Sequence, residues 1–154
     1  MYDHVLVGTD GSPTATRAVE AAARLAHAYQ AKLTIVHAFR PRRPSVVADA
    51  SFVPTEDAWR LTPGGAAESL VDRAADHAQL TACGGLHIET RVEPGSAASV
   101  LRALARELEP DVIVVGNADV YRPRLRRSIG QALSRRVTSD VVIIDTASRR
   151  STAA

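Results

Sequence analysis

A single cysteine, Cys83, occurs in the chain, so no internal disulfide can form and no zinc site can draw on paired thiolates. Its position after a helical pattern predicts a small, buried apolar residue at a helix end. Apolar runs never exceed a few residues, far short of a membrane span, and Met1 leads straight into a strand pattern rather than a signal sequence. The expectation is a soluble, cytoplasmic protein with no membrane contact. The five histidines show no metal-binding pair, and Walker A, Gly-x-Gly-x-x-Gly and Gly-x-Ser-x-Gly are all missing. No catalytic residue and no metal site are therefore assigned, and the chain is not read as an enzyme.

What is present is apolar periodicity. With 154 residues, 45% of them hydrophobic, the chain suffices for one domain with a proper core. His4 to Thr9 is an apolar run ending in glycine, and Ser12-Pro13 then caps a helix with apolar sites at Ala18, Val19, Ala22, Leu25, Ala26 and Tyr29. Lys32 to Phe39 reads as the second strand. Residues 40 to 63 hold four prolines and no sustained period, which predicts a long surface loop, with Trp59 as its anchor to the core. Leu70, Val71, Ala74, Ala75 and Ala78 mark a helix stopped by Gly84-Gly85. His87 to Val92 is a weaker strand, followed by a Pro94-Gly95 turn and a helix capped by Ser96.

Val112 to Val115, closed by Gly116, suits a strand buried on both faces. Ser128 can cap a further helix carrying Ile129, Ala132, Leu133 and Val137, and Asp140 to Asp145 is the last strand. Five strands alternating with four helices predict an α/β three-layer sandwich with a parallel sheet. The domain is placed at 1–146, with 147–154 as a disordered tail.

In such sheets ligands bind beyond the carboxyl ends of the strands. Two strands here end in glycine and small polar residues: Gly8, Thr9 and Asp10, then Gly116 and Asn117. If these strands are neighbours, Asp10 and Asn117 face one crevice with the Ser128 cap close by. Asp10 can accept hydrogen bonds from a ribose or an adenine amino group, and amides near Ser128 can meet a phosphate. A simpler role for Asp10 is to hold the short loop before Pro13. His37, near the end of the second strand, is read first as a satisfied core histidine. The C-terminal part from residue 110 carries eight arginines against four aspartates, a field that suits phosphates or an acidic partner as well as a solvated face.

Val7 to Ser12 (Val-Gly-Thr-Asp-Gly-Ser), the alanine-rich first helix, Leu33 to Ala38, Asp111 to Gly116 and the closing Asp140-Val-Val-Ile-Ile run together resemble the universal stress protein (UspA-like) family along nearly the whole chain. The resemblance implies strand order 3-2-1-4-5, a homodimer through the last strand, and binding of an adenine nucleotide (ATP, AMP or cyclic AMP) in a stress-response module. It matches Asp10 to the family aspartate that contacts base or ribose, Ala38 to the position whose backbone meets adenine, and Gly116 to the first glycine of the phosphate loop. Gly116-Asn117 and the long loop further resemble an actinobacterial subgroup, some of whose members bind cyclic AMP.

The chain also departs from the family pattern. ATP-binding members carry Gly-x-x-Gly, nine residues, then Gly-Ser or Gly-Thr, whereas here Gly116 to Asp119 is followed by seven residues and Arg127-Ser128. A nine-residue spacing would instead place Ile129-Gly130 there, which fits the distance to the last strand less well. Aspartate in place of glycine adds like charge beside a polyphosphate, at a cost of about 1 to 4 kcal/mol near a surface. Arg122, Arg124, Arg126 and Arg127 lie in the same loop and can neutralise phosphates by side chain. The alternative is a dimeric interaction protein of the same fold that has lost nucleotide binding and uses the arginine-rich loop for a protein or polyanion partner; nucleic acid is not expected.

Overall fold

The computed structural model describes residues 1–40, 63–117, Leu133 and 137–145. Its elements run β1 (His4–Gly8), α1 (Pro13–Tyr29), β2 (Lys32–Phe39), α2 (Pro63–Thr81), β3 (Ile88–Pro94), α3 (Ala97–Leu108), β4 (Val112–Asn117) and β5 (Asp140–Asp145). The five strands form one sheet of order β3-β2-β1-β4-β5, and every pairing is parallel. Both the α/β class and the order 3-2-1-4-5 agree with expectation. Three helices are found among the described residues where four were expected. The fourth, from Ser128, falls almost wholly outside them; of its expected apolar positions Leu133 is described as helical and fully buried, whereas Val137 is half-buried against the same core layer but is not helical.

Strand alternation sorts the core into two layers. Val5, Val7, Leu33, Ile35, Val112 and Val114 face α1 and α2, where they meet Ala18, Val19, Ala22, Ala26 and Ala78 in one apolar cluster. Leu6, Val36, Ile113 and Val115 face the other way, against Val100, Leu101 and Leu104 of α3 and against Leu133. A central strand apolar on both faces is what a sheet covered on both sides requires. Each fully buried leucine, isoleucine or valine contributes about 1.5–3 kcal/mol relative to exposure.

The helix ends follow local chemistry. Ser12 accepts a hydrogen bond from the Ala15 amide at 3.2 Å with Pro13 in the first turn, and α1 stops at Gln30 in the left-handed conformation. Tyr29 departs from the expected core set: it is 43% exposed, because it lies in the last turn of α1, where its ring packs edge-on against Tyr2 at 5.1 Å. Alanines do the burying instead, Ala15 and Ala23 included, since small side chains let the helix sit close to the sheet. Cys83 also corrects the expectation. It is exposed, having a positive φ of 58° where the chain leaves α2 ahead of Gly84, so it does not continue the buried face of that helix.

The amino ends of the strands are tied together by polar groups. The Asp111 carboxylate accepts from the amides of Asp3 and His4 at 2.8 and 2.9 Å, and these bonds hold its pKa below the ordinary 3.8. His4 shares a 2.8 Å hydrogen bond with the buried Thr34 hydroxyl; burial first, then the Lys32 charge, push its pKa below the ordinary 6.5. Lys32 itself pairs with Glu89 at 2.7 Å.

These two shifts predict a two-step loss of stability in acid. A histidine whose folded pKa is depressed leaves stability intact above its unfolded pKa and removes it as pH falls from about 6.5 downward. A depressed carboxylate keeps its contribution above the ordinary carboxylate range and loses it as pH falls through that range toward its lower folded pKa. In urea unfolding measured across pH, His4→Gln is expected to flatten the upper step and Asp111→Asn the lower. An unchanged profile in both variants would show that neither group governs acid stability.

Candidate functional site

The chain passes from β1 to β2 on one side of the sheet and reaches β4, on the other side of β1, only after β3. Strand order therefore reverses between β1 and β4, and at their carboxyl ends the connections diverge and leave a crevice. A cleft of about 190 Å³ opens there. Its walls come from the β1–α1 loop, the end of β2, the first turns of α1 and α3, and the end of β4.

The β1–α1 loop is only four residues, Thr9 to Ser12, and is held by its own side chains. The Asp10 Oδ1 atom accepts from the Ser12 amide at 2.9 Å, and the Thr9 hydroxyl from the Gly11 amide at 3.2 Å. Gly11 has φ +75°, a conformation that favours glycine. Asp10 thus performs the turn-holding role, and it remains exposed at the cleft, where it is the sole charged group among the described lining residues.

Of the residues proposed from sequence, Gly8, Thr9, Asp10, Ala38 and Gly116 all line this cleft. Asn117 follows Gly116 as the last residue of β4, in register with Asp145. Arg127, Ser128 and Ile129, with the rest of the arginine-rich loop, lie outside the described residues, as do residues 41–62 of the long loop with Trp59, and the tail from Thr146. The His37 Nδ1–H donates to the Thr9 carbonyl at 2.8 Å; the ring is satisfied, as expected, but only half-buried rather than in the core.

Sequence reasoning missed the apolar floor. Val36, Val100, Leu101 and Val115 line the cleft, and they belong to the same layer as Leu6 and Leu104. Their spacing marks them correctly as core; only the packing of α3 across the end of β1 shows that the edge of this core stays open. An apolar floor with a few convergent polar groups is the usual make-up of a small-molecule site.

Gly116 has a structural role that its place in a loop motif conceals. A Cβ there would stand 2.8 Å from the Thr14 carbonyl oxygen, closer than any real side chain approaches. The first turn of α1 rests on the β4 backbone at this point, which puts the helix N-terminus at the cleft wall with Ser12, Thr14 and Ala15.

A protein-family model described as the universal stress protein family matches residues 1–145. Universal stress protein Rv1636 of Mycobacterium tuberculosis (strain H37Rv) is 33% identical over 147 residues, covering 94% of this chain and 97% of that protein. A putative universal stress protein of Staphylococcus aureus (strain USA300) is 31% identical over 150 residues, covering 94% of this chain and 85% of its own length. Among solved structures, a universal stress protein in complex with cAMP is 32% identical, with a TM-score of 0.72 and coverage of 95% of this chain and 98% of that one.

The close approach at Gly116 is testable. Gly116→Ala is expected to lower the unfolding free energy by about 1–3 kcal/mol, the usual cost of overpacking. Gly64→Ala, where an added methyl meets nothing within 4 Å, is expected to be neutral or slightly stabilising in a helix. Equal stability of the Gly116→Ala and wild-type proteins in urea would mean that the first turn of α1 lifts off β4 without cost.

Proposed function

The chain belongs to the universal stress protein family, and on that premise we propose that it is a non-enzymatic stress-response module binding an adenine nucleotide with a single phosphate, cyclic AMP or AMP in preference to ATP. The observation that carries this reading is the make-up of the cleft: an apolar floor suited to a base, with Asp10 as the only charged lining group among the described residues. Asp10 can accept from a ribose hydroxyl or an exocyclic amine but repels phosphate. Backbone amides at the first turns of α1 and α3 offer partial positive charge, enough to favour one phosphate more readily than three. The relative in complex with cAMP, 32% identical over nearly the whole chain, supports the same choice. The sequence departure at Asp119 points in the same direction.

Homodimerisation through β5 is part of the proposal. That strand is the sheet edge beside β4, and Ile143 on it is 43% exposed; an unpaired apolar edge is a template for pairing with a second copy. The second reading, a partner surface on the arginine-rich loop from Arg122 to Arg127, would apply if the cleft proved empty of function.

Calorimetric titration with cyclic AMP, AMP and ATP is expected to show tighter binding of the first two. Asp10→Ala is expected to weaken it about tenfold or more, the scale of a hydrogen bond to a charged group. Asp10→Asn keeps an oxygen for the Ser12 amide and so separates the charge from the turn. No heat with any of the three, from a folded protein, would sink the nucleotide reading and favour the partner surface. Sedimentation is expected to find a dimer, dissociated by Ile143→Lys; a wild-type monomer at micromolar concentration would refute the β5 interface.

A further inference from the structure

We infer that His37 is a positioning residue for this cleft: its ring takes the place on the Thr9 carbonyl that the sheet ladder would otherwise fill, and so leaves the Ala38 backbone free to meet a ligand. In a parallel pair, every second residue of a strand bonds to the same neighbour. Val36 is such a residue, paired in register with Gly8, and its carbonyl accepts from the Thr9 amide at 2.9 Å. Ala38, two residues on, turns the same edge toward β1. The next rung would run from the Ala38 N–H to the Thr9 carbonyl.

That rung is not made among the described residues. The His37 Nδ1–H donates to the Thr9 carbonyl at 2.8 Å instead. A backbone carbonyl only accepts, so this contact fixes the hydrogen on Nδ1. Meanwhile β2 does not fray, because β3 holds its far side through the Ala38–Glu93 and Phe39–Pro94 pairs. Ala38 is thus kept extended, half-buried and in the cleft wall, with one N–H and one C=O on its β1 side that have no ladder partner among the described residues. Polar backbone groups in such a place demand a partner, and a planar ring edge offering an acceptor beside an amino donor supplies one. The same contact anchors Thr9, the residue before Asp10, so a single side chain sets the spacing between the strand edge and the carboxylate.

This inference rests on the nucleotide reading for its ligand, but the ladder itself can be tested without one. Amide hydrogen exchange of the unliganded wild-type protein is expected to be faster at Ala38 than at Val36. In His37→Leu the freed Thr9 carbonyl can accept the Ala38 amide, and exchange at Ala38 is expected to slow. Cyclic AMP binding is expected to weaken about tenfold in His37→Leu, the scale of one hydrogen bond. It should stay within about threefold of wild type in His37→Asn, whose amide nitrogen stands where ring Nδ1 stands. An Ala38 amide already as protected as Val36, or undiminished binding by a folded His37→Leu protein, would overturn the inference and leave the nucleotide reading in place. Absence of cyclic AMP and AMP binding by the wild-type protein would instead overturn the nucleotide reading and the ligand-presenting role with it, while the exchange result still decides whether His37 ends the ladder.

Discussion

The first turn of α1 rests on the bare backbone of β4, with Thr14 against Gly116 and no side chain between them. This close approach brings two strand ends, a four-residue loop and a helix N-terminus to one spot. The alanine face of α1 serves the same end along its length, since Ala15, Ala18, Ala22 and Ala26 keep the helix close to the sheet. The cleft exists because helix and strand meet so tightly on one side while α3 packs on the other face.

The two ends of the sheet are built differently, and the difference is electrostatic. At the amino ends, the Asp111 carboxylate collects backbone amides, His4 meets Thr34, and the Tyr2 hydroxyl donates to Asp140 at 2.9 Å. These polar groups are spent on one another. At the carboxyl ends, Asp10 uses one oxygen to hold its loop and remains exposed, while the His37 ring bonds the Thr9 carbonyl beyond the last backbone rung between β1 and β2. The end suited to a ligand keeps backbone edges and a carboxylate beside an apolar floor.

Much of this is legible in the residue order. Ser12-Pro13 and Ser96 mark helix starts through capping chemistry that acts within four residues, and both helices begin where those signals stand. Glycines after short apolar runs locate the two strand ends that flank the cleft. Tyr29 and Cys83 were misplaced for a common reason: periodicity reports which face a residue shares, not whether the neighbouring element extends far enough to cover it. The ladder-ending role of His37 has no local signature, because a histidine near the end of a strand looks the same whether it fills the core or bonds the next loop.

The sequence by itself determined the elements, their alternation and the polar residues at the strand ends, since capping, turn and burial preferences depend on neighbours a few positions apart. Strand order followed from resemblance to a family and not from periodicity. Only the tertiary structure decided that Gly8 and Gly116 line one cleft, that α3 leaves the core edge open beneath Asp10, and that the ladder stops one rung short of Ala38. Those features depend on contacts between segments more than a hundred residues apart in sequence, whose geometry is set by how whole helices pack on the sheet.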